Sequence, residues 1–128
     1  MDSFIKNLKK EFDKGVAVVG AKSKEIIETT KIKNQIDDLK RVKHQTFQEI
    51  GEIVYQMSLD PNYQGEEGVK TKCQSITELD QQIQAKEVEL EKVHVDTEES
   101  LGKTVCKSCG AIMEDGVKFC SSCGAKIG

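Results

Sequence analysis

Four cysteines, Cys106, Cys109, Cys120 and Cys123, stand in two Cys-x-x-Cys pairs, and a glycine follows each pair directly: CKSCG and CSSCG. Two residues between sulfurs make a tight turn whose backbone N–H groups point at the thiolates. Each pair is therefore a rigid clamp, and two clamps facing each other suit an ion that accepts four thiolates tetrahedrally, as Zn²⁺ does at about 2.3 Å per sulfur. Gly110 and Gly124 permit the left-handed backbone such a turn commonly uses. Between the pairs, Ala111, Ile112 and Met113 lead into Glu114-Asp115-Gly116, and Val117, Lys118 and Phe119 lead back. The Asp-Gly signal between runs of strand propensity predicts a β-hairpin that brings Cys120 and Cys123 beside Cys106 and Cys109.

The chemistry this spacing implies is one structural Zn²⁺ with a closed coordination sphere. Four protein ligands leave no position for an activated water, so zinc catalysis is not expected. Iron fits less well, because the segment between the pairs is short and nearly lacks aromatics. A redox dithiol fits less well too, since two pairs symmetric about a turn have no need to be reactive. A module of about 25 residues with so few apolar side chains cannot fold on burial alone, so metal binding must supply the difference. Outside these residues candidates are few. Cys73 falls next to a helical seam and reads as a small packing residue. His44 and His94 read as solvated histidines on charged helical faces. Glu87, Glu89 and Glu91 form a solvated face, and no nucleophile motif or phosphate-binding glycine loop is present. The chain reads as a protein without an enzyme active site.

The elements that must carry this module are helical. The chain has 128 residues, 32% charged, with 5% aromatics and one proline, a composition that suits long exposed helices better than an enclosed core. Residues 1–24 hold six lysines against three acids, residues 25–102 nine bases against seventeen acids, and residues 103–128 four lysines against two acids. The acidic middle disfavours nucleic acid along it, because counterion release needs a basic track. Four thiolates and one Zn²⁺ together add two negative charges, which brings the metallated C-terminal segment close to neutral. No segment approaches the roughly 18–20 apolar residues of a membrane span. Paired Cys-x-x-Cys units read as metal ligands in a reducing compartment, which predicts a cytoplasmic protein.

Residues 1–21 are predicted to form an amphipathic helix. Phe4, Ile5, Leu8, Phe12, Val16 and Val19 fall within an arc of roughly 120° at helical spacing, with Lys6, Lys9, Lys10, Asp13 and Lys14 elsewhere. Such a helix either lies on an anionic membrane surface or docks on protein. Residues 22–95 are predicted to form a long, coiled-coil-like antiparallel helical hairpin. One heptad series holds Ile32, Leu39, Thr46 and Ile53 with Ile36, Lys43, Ile50 and Met57; the second holds Val69, Ile76, Ile83 and Leu90 with Leu79 and Val93. A turn is expected near 60–66, where Asp60, Pro61, Asn62 and Gly65 cluster. Phe47 and Val54 widen the first stripe, which suggests that a third helix or another chain packs there. Two helices alone leave much of their seam exposed, so the hairpin is expected to need the N-terminal helix, a second copy or a partner protein. Residues 96–104 read as a polar linker, and residues 105–128 as the metal module.

The residues CKSCG…KFCSSCGAKI resemble the double-Cys-x-x-Cys zinc-ribbon domain. The layout, an FIKNLKKEFDKG start, a KIKNQIDDLKRVKHQTFQEIGEIVY helix and the C-terminal cysteines, is similar to small zinc-ribbon-domain-containing proteins of Gram-positive bacteria. The resemblance implies a mostly α fold with a small β zinc ribbon, and zinc ligation by Cys106, Cys109, Cys120 and Cys123. It implies no activity and no catalytic residue. One departure is Lys107, where many ribbons have proline. Two classes of function follow. In the favoured one, the hairpin associates with itself or a partner and the ribbon presents Ile112, Met113, Val117 and Phe119. In the other, the ribbon meets nucleic acid through Lys103, Lys107, Lys118 and Lys126. Membrane contact through residues 4–19 is a third possibility.

Overall fold

The computed structural model describes residues 2–127; Met1 and Gly128, the outermost residues of the segments 1–21 and 105–128, lie outside the described residues. The elements run α1 (Asp2–Leu59), α2 (Glu66–Ser100), β1 (Lys103–Val105) and β2 (Ile112–Glu114). Two long helices packed together precede a small two-stranded antiparallel sheet. The chain divides into two units, Lys31–Leu90 and Met1–Thr30 with Glu91–Gly128.

In the unit Lys31–Leu90, α1 and α2 meet along a one-sided seam. Ile32, Ile36, Ile76 and Ile83 are buried, and Leu39, Lys43, Thr46, Ile50, Ile53, Met57, Val69, Leu79 and Leu90 are half-buried. Every position of both heptad series within this unit thus faces inward. The two polar interruptions have local explanations. Lys43 lays its stem on the seam, reaches Asp80 of α2 at 2.5 Å and holds its ammonium 5.9 Å from the Phe47 ring centroid, so the charge stays at the rim while the methylenes are covered. Thr46 returns its hydroxyl to the Val42 carbonyl at 2.8 Å. Lys72 and Glu49 make a second bridge between the helices at 2.6 Å. Phe47 and Val54 remain half exposed, so among the described residues no third helix covers the widened stripe. Cys73 is exposed, which corrects its reading as a packing residue. It sits one position beyond Lys72, on the outer side of the seam.

The turn between the helices is built by Asp60. Its carbonyl accepts from the Tyr63 amide at 3.0 Å, and its Oδ1 accepts from the Asn62 amide at 2.9 Å, an Asx turn. Gly65 then starts α2 in a crowded place: a Cβ there would stand 2.6 Å from Ile53 Cγ2 and 2.8 Å from Met57 Sδ.

In the other unit, α1 and α2 are joined by polar groups. Lys22 of α1 hydrogen-bonds to Glu98 of α2 and stands 3.3 Å from Glu25, and Glu25 lies 2.9 Å from His94 Nδ1. Glu98 is 4% exposed. The reading of His94 as solvated is therefore corrected: it is half-buried and paired across the helices. The expected linker at 96–104 is different as well. Residues 96–100 are the last turns of α2, and Lys103 already belongs to β1. Only Leu101 and Gly102 stand between, with Gly102 at a left-handed φ of 76° and its amide bonded to the Glu99 carbonyl at 3.0 Å, a glycine helix stop. The N-terminal segment is no separate helix, since α1 passes Gly15 and Gly20 without a break. No helix among the described residues is long and apolar enough to cross a membrane.

Two outcomes follow. Gly65→Ala should destabilise the helices by about 1–3 kcal/mol through overpacking against Ile53 and Met57, read as a lower urea midpoint at 222 nm; an unchanged midpoint would contradict the crowding. His94 first, and Lys22 with it, hold the Glu25 carboxyl below its usual range. A depressed carboxyl contributes stability above its unfolded pKa that is lost as pH falls through its folded one. Glu25→Gln should therefore melt lower than the wild type at pH 7, with the gap closing as the solution is acidified below the carboxylate range.

Candidate metal centre

The cysteine segment folds as two similar knuckles. In the first, the Cys106 amide donates to the Ala111 carbonyl at 2.9 Å and the Gly110 amide to the Cys106 carbonyl at 2.8 Å. The second repeats this, with Cys120 donating to Ala125 at 2.8 Å and Gly124 to Cys120 at 2.9 Å. Gly110 and Gly124 both take φ 77°, the left-handed backbone read from their positions.

Strand pairing departs from the expected hairpin. β2 does not pair with residues 117–119; it turns back on β1 across the first knuckle, with Lys103 opposite Glu114, Thr104 opposite Met113 and Val105 opposite Ile112. Phe119 likewise bridges Lys126 across the second knuckle. The reason is local. Each Cys-x-x-Cys-Gly turn already reverses the chain, so the segments on its two sides are neighbours before Asp115-Gly116 acts. That dipeptide still makes a turn, with Gly116 at φ 88° and its amide bonded to Asp115 Oδ1 at 3.1 Å, but it joins the two knuckles.

The turns converge the sulfurs. The Sγ atoms of Cys106, Cys109, Cys120 and Cys123 all lie within 4.8 Å of one another. Across the knuckles, Cys106 and Cys123 stand 3.6 Å apart and Cys109 and Cys120 3.5 Å. These separations are too long for a disulfide, which needs about 2.05 Å. Four sulfurs at about 2.3 Å from a common centre would be roughly 3.8 Å apart, so the spacing fits a single tetrahedral ion. Met113 is buried with Cys106 and Cys120, and Ala111, Val117, Ala125 and Ile127 pack on them. With Val105 of β1, also buried, they make up the ribbon's small core among the described residues.

The surroundings of the sulfurs point the same way as their spacing. The Cys123 amide, assisted by that of Ser122, lowers Cys120 to about 6. The amides of Cys109 and Ser108 lower Cys106. Cys123 is held down by the Ala125 amide, yet the three neighbouring sulfurs drive it up to about 12. The knuckle amides favour thiolates at Cys106 and Cys120, while the crowded sulfurs oppose a charge at Cys123. A divalent cation at the centre would remove that conflict, and the donor set, four soft sulfurs and no oxygen, suits Zn²⁺.

A second group of metal-type ligands, Glu25, His94 and Glu98, also brings its donor atoms within 4.8 Å of one another. There the Lys22 ammonium already contacts both carboxylates, so the role of cation is filled by the chain. A groove of about 370 Å³ lined by Glu49, Glu52, Tyr55, Tyr63 and Lys72, among others, gathers titratable groups, with Lys72 committed to Glu49. Sequence reasoning found all four clustered cysteines and missed the Lys22–Glu25–His94–Glu98 cluster. The available signal was His94 and Glu98 four apart on one helical face.

Removal of the metal should unfold the ribbon and leave the helices. Chelator, or Cys109→Ser, is expected to collapse the dispersed amide resonances of residues 103–127 while the helical ellipticity falls little; a ribbon that stays folded without metal would contradict this.

No curated protein and no solved structure matches the chain. Residues 105–127 match the family model of the zinc-ribbon domain, and with four cysteines converged at Cys106, Cys109, Cys120 and Cys123 this segment is a zinc ribbon following a helical region.

Proposed function

We propose that this chain is a non-enzymatic interaction protein in which the zinc ribbon serves as a rigid recognition module on a helical hairpin. The observation that carries the reading is the division of the ribbon's apolar residues. Met113, expected on the recognition surface, is buried beside the cysteines, and Val117 is half-buried. Alternation along β2 leaves Ile112 outside, 49% exposed, and Phe119, bridged to Lys126 beyond the second strand, is 59% exposed. A module with so small an interior that still displays two large apolar side chains has them available for a partner. Its zinc, with four sulfur ligands, would hold those side chains in place and leave no vacancy for a reactant.

The nucleic-acid reading is weaker for a specific reason. Of the four ribbon lysines, Lys103 is committed to Glu114 across the β1–β2 pair, which leaves Lys107, Lys118 and Lys126 around a site that is itself anionic. Counterion release scales with the number of phosphates neutralised, so three cations give weak binding. The double variant Ile112→Asp/Phe119→Asp should keep its zinc and its melt, yet lose any protein that the wild-type chain captures from native cytosol. Capture unaffected by the variant, or salt-dependent RNA or DNA binding lost when the lysines are changed, would sink the proposal.

A further inference from the structure

Phe4, Ile5, Leu8, Phe12, Val16 and Val19 share one face of α1 and are 56–70% exposed. Residues 2–20 contain no buried or half-buried position, so nothing among the described residues covers this stripe. The remaining faces of the segment carry Lys6, Lys9, Lys10 and Lys14 with Asp2, Glu11 and Asp13, an excess of one positive charge. Among the described residues none of these four lysines has an ion-pair partner, whereas Lys22 and Lys24, further along the same helix, do.

Four features choose between occupants. The apolar arc of roughly 120° is wider than the seam one helix presents to another, and a flat surface covers all of it. At about 100 Å² of exposed surface each, the six side chains amount to on the order of 600 Å², short of the roughly 800 Å² per partner that a stable protein interface buries. The heptad a second copy would use, Ile5, Leu8, Phe12, Gly15, Val19, Lys22, Ile26, is interrupted by Gly15 and by Lys22, which is committed to Glu98. Finally, Gly15, Gly20 and the β-branched Val16, Val18 and Val19 are weak helix formers. A solitary helix of this composition is marginal in water and gains support from a surface that buries its apolar face.

We propose that residues 4–19 of α1 bind in the plane of an anionic bilayer, with Phe4, Ile5, Leu8, Phe12, Val16 and Val19 at the headgroup–acyl boundary and the lysines drawn to the lipid phosphates. The binding comes mainly from apolar burial, because the net charge of the segment is small. It is independent of what the ribbon recognises.

Cosedimentation of the full zinc-loaded chain with vesicles of phosphatidylcholine and phosphatidylglycerol tests this. Phe12→Asp and Phe4→Ser/Phe12→Ser serve as controls; both positions are exposed, and helicity and zinc content verify that the variants fold. The wild type should partition into the vesicle pellet, and either variant should weaken that partition about tenfold or more. Three results would overturn the proposal: no partition at excess lipid; partition untouched by the variants but abolished by salt, which is charge alone; or a Phe12-dependent dimer in lipid-free sedimentation together with no partition, which puts a second copy on the stripe.

Discussion

Four sulfurs held within 4.8 Å of one another cannot all carry charge without a cation between them, and the ribbon is organised around a centre that one divalent ion fits. The knuckle amides lower Cys106 and Cys120, but the same closeness raises Cys123. Without an ion the site holds fewer charges than its geometry is built for. With one, the two knuckles are tied together, and the pairings of β1 with β2 and of Phe119 with Lys126 gain a fixed base. Four buried side chains, Val105, Cys106, Met113 and Cys120, two of them cysteines, contribute too little to do this alone.

The helices answer a different constraint. Within the Lys31–Leu90 unit each buries one stripe and, among the described residues, has no second layer above it, so that interior is thin, with four isoleucines as its buried apolar residues. Cross-helix ion pairs, Lys43 with Asp80 and Lys72 with Glu49, fix which positions face each other more than they stabilise, because exposed pairs contribute little. In the other unit polar groups enter the seam: Lys22, Glu25, His94 and Glu98 pair there, together with the half-buried Ala21, Val93 and Val95.

That polar seam marks the limit of what the residues disclosed. Heptads of Ile, Leu and Val located the inward face of both helices, and the cysteine spacing located the metal ligands, because burial and coordination each impose a period or a fixed interval. Beyond Val93, Lys, Glu and His enter the seam and the hydrophobic period stops, so His94 read as solvated and residues 96–100 as linker. The strand partners in the ribbon were misjudged for a related reason. Asp115-Gly116 carries a strong turn signal, but the cysteine knuckles are tighter reversals, and pairing followed them. Gly65 was legible as a turn residue; its close approach to Ile53 and Met57 depends on tertiary packing that sequence alone does not display.

The zinc-centred account is tested most directly by counting metal and its ligands in the full chain purified without added metal or a metal-binding tag. Elemental analysis should find one zinc per chain, and X-ray absorption at the zinc edge should show four sulfurs and no oxygen in its coordination shell. A chain free of zinc, or an ion with a solvent oxygen in place of one sulfur, would contradict the closed site on which this reading of the ribbon rests.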